Sequence, residues 1–86
     1  MFTVIWKHVA LDTLADIVVS LDRPTRERLV RAVDGFNHRL GNDPMIEGES
    51  RDGIYRVTFV DLLFVRFSVE EDERIVRVLE LKRIRR

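Results

Sequence analysis

Arg56, Arg66 and Arg77 each interrupt a run of β-branched and aromatic side chains, in "IYRVTFV", "LFVRFSV" and "RIVRVLEL". Guanidinium groups at a recurring place in successive strands suit an anion, because the planar fork donates paired hydrogen bonds to phosphate or carboxylate oxygens. Arg51 precedes the first run, and Lys82, Arg83, Arg85 and Arg86 follow the last. Arg51, Arg56, Arg66, Arg77, Lys82, Arg83 and Arg85 are therefore the expected nucleic-acid or anion-binding residues. Proton transfer has fewer candidates. A guanidinium holds its proton too tightly to act as a base, which leaves Glu47 and Glu49 in a polar stretch, the single Tyr55, and His8 and His38 outside the three runs. A solvated loop glutamate and a helix-surface histidine account for these residues more simply, so no catalytic residue is assigned.

Other chemistries lack their residues. The chain has no cysteine, which removes disulfides and thiolate metal sites, and its two histidines have no metal-ligand spacing. No metal or cofactor is expected. A glycine-rich phosphate loop and a nucleophile elbow are also missing from the sequence. Fifteen basic against fifteen acidic residues give a formal net charge of zero, unlike the strong positive excess of a general nucleic-acid coat. The charge is unevenly placed, with an acidic run at Glu70, Glu71, Asp72 and Glu73 and the basic group at the end. A local patch can bind an anion on a neutral chain.

The frame that must position these residues follows from periodicity. With 86 residues, 45% hydrophobic and 35% charged, the composition is that of one globular domain, residues 1–86. No apolar run approaches the length of a membrane span and no cleavable leader is evident, so a cytoplasmic protein without membrane contact is expected. "FTVIWK" reads as a strand. Leu11, Leu14, Ala15, Val18 and Leu21 then repeat at helical spacing, predicting a helix over about residues 9–20. Pro24 suits the first turn of a second helix, capped near Asp22 or Arg23, with Leu29, Val33, Phe36 and Leu40 on one stripe. Gly41 is the expected stop, as a residue tolerant of positive φ, and residues 41–53 read as a long loop.

The three runs after Gly53 predict an antiparallel meander. A turn at Glu71 and Asp72 sets Arg66 opposite Arg77 and Phe67 opposite Val76. A three-residue turn from Val60 to Leu62 sets Arg56 opposite Arg66 and Val57 opposite Val65; a two-residue turn would instead bring Phe64 opposite Phe59 and expose Val57's face. On the three-residue reading the arginines form one stripe on the face away from the helices. Like charges opposite one another destabilise a sheet, so an anion is expected to offset them; solvation and pairing with Glu80 or Glu49 is the alternative. The fold class is thus α+β, β-α-α-β-β-β, with two helices on one face of a small antiparallel sheet.

This order, together with "LVRAVDGFNHRLGNDP", "DPMIEGESRDGIYRVTF" and "LLFVRFSVEEDERIVRVLEL", resembles the RelE/ParE toxins of type II toxin–antitoxin systems over most of the chain. The resemblance implies a cognate antitoxin as partner, and one of two activities: cleavage of messenger RNA within the ribosome or inhibition of DNA gyrase. Arg56, Arg66 and Arg77 match the basic cluster that the family's nucleases carry on the sheet. The Tyr, His or Glu that helps those nucleases move protons has no counterpart on the meander except Tyr55, and the family's C-terminal catalytic segment is reduced to "KRIRR". The alternative is a diverged, catalytically silent module that binds an antitoxin-like partner or itself as a homodimer. An RNA-recognition motif fits less well, since two successive helices depart from its order and Phe64 is the one strong candidate for base stacking.

Overall fold

In the computed structural model, which describes residues 1–84, the elements are β1 (Thr3–Trp6), α1 (His8–Val19), α2 (Arg23–Asn42), β2 (Glu49–Ser50), β3 (Tyr55–Val60), β4 (Leu63–Glu70) and β5 (Ile75–Arg83). The five strands form one sheet in the order β1-β5-β4-β3-β2. The expected meander is β3-β4-β5, both its pairings antiparallel. Two features extend it: β1 pairs parallel with β5, and the two-residue β2 adds a short antiparallel edge to β3. No helix is long and apolar enough to cross a membrane among the described residues.

Both helices cover one face of the sheet. Leu29, Phe36 and Leu40 of α2 are buried against Val65, Phe67, Val76 and Val78, with the Phe36 and Phe67 rings edge to face at 5.8 Å. Val33 joins as a half-buried neighbour. The stripe on α1 is turned from the expected one. Ala10, Ile17 and Leu21 enter the core, whereas Leu14 and Val18 are half-buried and Leu11 is exposed. The helix is apolar on two overlapping faces, at 10, 14, 17, 21 and at 11, 14, 15, 18, and periodicity alone does not choose between them. Packing on β5 selects the first.

The predicted end of α2 is corrected by two residues. Gly41 and Asn42 remain helical and Asp43 follows as the cap. A side chain at Gly41 would sit in ordinary contact with the Phe2 carbonyl oxygen at 3.7 Å, and the Phe2 N–H donates to the Gly41 oxygen. Positive φ falls later, at Gly48 and Gly53. The long connection is not slack: a 3-10 turn at Pro44–Ile46 and β2 lie within it, and the Arg39 guanidinium pairs with Glu47 at 3.0 Å.

Both hairpin registers differ from expectation. Asp61 and Leu62 form a two-residue turn, with Val60 opposite Leu63 and Phe59 opposite Phe64. Val57 therefore pairs with Arg66, not Val65, and is buried on the open face, outside the core between sheet and helices. Asp61 adopts φ 53°, a left-handed conformation for which Asp has above-average tolerance, and no Asn-Gly or Asp-Gly pair marks it in the sequence. The second turn spans four residues, Glu71 to Arg74, and Arg74 takes φ 57°. It slides β5 by two positions, so Arg77 lies opposite Ser68, and a bulge beside Arg66 and Phe67 then sets Arg66 opposite Glu80. A slip of two residues preserves which face each side chain occupies. Val65 and Arg66 consequently stay on opposite faces, as the alternation requires.

Candidate functional site

The expected stripe of three arginines is not formed. Arg56 pairs with Phe67 and so belongs to the helix-covered face. There its Nε donates to the Glu47 carbonyl oxygen at 3.0 Å and its Nη2 to that of Gly48 at 3.2 Å. It ties the connection before β2 to β3, and its charge serves two backbone acceptors. Arg66 and Arg77 do share the open face, each with its own carboxylate. Arg66 reaches Glu80 at 3.4 Å and lies over the Tyr55 ring, 5.4 Å from its centroid. Arg77 pairs with Glu70. No unbalanced row of cations remains for an anion to offset.

The other expected residues scatter around this face. Arg51 stands beyond β2 and pairs with Glu49 at 3.2 Å, both exposed. Lys82 lies opposite Phe64 on the open face, and Arg83 pairs with Leu63 at the helix-side end of β5. Neither has an ion-pair partner among the described residues. Arg85 lies outside the described residues. Glu47 is held by Arg39, and His38 sits on α2, His8 at the start of α1. These proton-transfer candidates are spread over different elements, and among the described residues no group of three His, Cys, Asp or Glu side chains is placed to hold a metal ion.

Two surfaces emerge that the arginines did not announce. The first is a pair of rings on the open face, Phe59 and Phe64, edge to face at 5.5 Å. They border a notch of about 310 Å³ closed on its other side by Gly48, Glu49 and Arg51. Gly48 makes that approach possible: it has φ 66°, and a side-chain carbon there would meet the Val57 carbonyl oxygen at 2.2 Å. The ring pair had a signal in the sequence, since a two-residue turn at Asp61 requires it. The second surface is an apolar groove of about 460 Å³ between α1 and α2, floored by Val4 and Trp6 and walled by Leu11, Leu14, Val18 and Val30. The Trp6 indole N–H donates to Asn37 at its edge, at 2.8 Å. Its wall on α1 is the second apolar face, which the core covers in part at Leu14 and Val18 and leaves exposed at Leu11.

A strand, a helical hairpin and a meander whose last strand returns beside the first together make the RelE/ParE toxin fold. A chain of the intact E. coli RelBE toxin–antitoxin complex matches with a TM-score of 0.70 at 14% identity, covering 100% of both chains. The isolated E. coli RelE toxin gives 0.71 at 12%, over 100% of this chain and 87% of that one. A chain of the chromosomal ParDE system of P. aeruginosa gives 0.59 at 19%, over 99% of this chain and 98% of that one. No protein-family model and no curated protein matches the sequence.

Proposed function

We propose that this chain, read as a single domain over residues 1–86, is the toxin of a type II toxin–antitoxin pair, acting in the bacterial cytoplasm and silenced by an antitoxin. The observation that supports this most is a full-length fold match to toxins, two of them in toxin–antitoxin systems, combined with a groove suited to an apolar segment. Leu11 and Val30 are 45% and 51% exposed on its walls, and an amphipathic helix laid between α1 and α2 would bury both. The exposure of Leu11 on the second face of α1 then has a purpose that the fold by itself does not give it.

The target is RNA within the ribosome or DNA gyrase. The engaged arginines and the scattered acids and bases favour an activity exerted by binding over one that moves protons on this chain alone. Of the expected cations, Lys82 and Arg83 are the most available to a target, while Arg51, Arg66 and Arg77 would first have to exchange a carboxylate for it. Purified protein added to a translating extract and to a gyrase supercoiling reaction separates the two activities. The expected result is an effect in one of the two assays. Inactivity of folded protein in both would leave a silent interaction module.

A further inference from the structure

The sheet has two edges, and the chain treats them differently. β2 is only Glu49 and Ser50, with Gly48 before it and Arg51 and Asp52 after; shortness and charge discourage pairing with another strand. β1 has neither charge nor proline from Phe2 to Trp6. It ends the sheet beside β5, and the Thr3 and Lys7 N–H groups donate toward β5, to the Arg74 and Val78 oxygens. Alternation turns the N–H and C=O groups of Val4 and Trp6 the other way, to solvent. The exposed apolar side chains of this edge are centred on Ile5. Ile5 is 39% exposed, and Met1 and Val9, equally spaced on either side of it in the chain, are 90% and 65% exposed.

We propose that β1 pairs antiparallel with β1 of a second copy, on a two-fold axis at Ile5. This register sets Val4 opposite Trp6 of the second copy, and each such pair exchanges two backbone hydrogen bonds. A ring beside a β-branched side chain is a favourable cross-strand pair. Ile5 meets its own counterpart on the open face, and Met1 of each copy extends toward Val9 of the other. Lys7 falls opposite Thr3, so no like charges oppose one another along the strand. Arg77, beside Ile5 in the sheet, is three strand steps from its counterpart, about 14 Å, and is neutralised by Glu70. An axis at Val4 would need the Phe2 N–H, already bound to Gly41, and an axis at Trp6 would need His8, already in α1. The two five-stranded sheets become one, with both helix pairs on the same side and the groove floors, Val4 and Trp6, continuous across the axis. So short an edge buries less than the roughly 800 Å² per partner of a standard interface, and the dimer dissociates at about 1 μM or above. Self-pairing goes beyond the toxin reading and does not depend on it.

Sedimentation equilibrium from about 10 μM to about 1 mM tests this. The wild-type mass rises toward twice that of the monomer, and the Val4 and Trp6 amides gain about tenfold or more in hydrogen-exchange protection over the same range. Ile5→Lys and Ile5→Glu each set like charges face to face at the axis and stay monomeric where the wild type is dimeric. Their equimolar mixture recovers dimer, about tenfold tighter than either variant alone. Mixing rescues only a contact of residue 5 with its own counterpart, which neither a folding defect nor a contact elsewhere reproduces. Ile5 is exposed, so both variants keep the wild-type circular dichroism. A wild type that stays monomeric throughout, a dimer without protection at Val4 and Trp6, or folded variants that fail to recover on mixing overturns the proposal.

Discussion

Arg56 turns inward to two carbonyl oxygens, and that single orientation converts an apparent anion ligand into a brace. Removing it leaves the part-buried Glu47 carbonyl and the exposed Gly48 carbonyl without their charged donor. Arg56→Ala should therefore lower stability by about 1–3 kcal/mol, read by urea denaturation. A repulsive arginine stripe would give the opposite sign, a small gain. Gly48 is constrained more severely, by positive φ and by the Val57 backbone at 2.2 Å from any added carbon. Gly48→Ala is expected to cost at least about 2 kcal/mol and to loosen β2, seen as faster amide exchange at Arg51, whose N–H donates to Tyr55. Neither role was legible in the sequence. Both depend on which residue of β3 lies beside the returning loop, and that is a matter of register.

At the scale of elements, legibility followed the strength of the periodic signal. The α2 stripe was readable because Leu29, Val33, Phe36 and Leu40 recur at helical spacing in a mainly polar helix, and Leu29, Phe36 and Leu40 are buried. Leu29→Ala should cost about 2–5 and Phe36→Ala about 3–5 kcal/mol, against little change for Leu11→Ala at the exposed wall of the groove. Alternation likewise placed Val65, Phe67, Val76 and Val78 on the core face. The pairing of the strands was less visible, because the turns are made by Asp61 and Arg74 in left-handed conformations and not by glycine. The assumption that Val57 must face the helices then selected the wrong first turn. A small valine can be buried on the open face beside β2 and the rings, and this one is.

For the whole molecule, the consequential feature is the separation of its two available surfaces. The groove lies between the helices and the aromatic pair on the opposite side of the sheet. A hydrophobic dye such as anilinonaphthalene sulfonate should brighten on the folded protein, and Val30→Asp should reduce the signal without altering the unfolding midpoint by more than a few degrees. β1 is also a free edge: its alternate N–H groups at Thr3 and Lys7 bond toward β5, so those of Val4 and Trp6 point outward. Pairing of two copies there would double the mass in light scattering as concentration rises; a constant monomer mass would show that copies do not pair at this edge.

The toxin reading itself is tested most directly by inducing this chain alone in a bacterial host and following growth. The account predicts arrest soon after induction, with the protein accumulating in folded form. Undiminished growth at the same level of folded protein would contradict it.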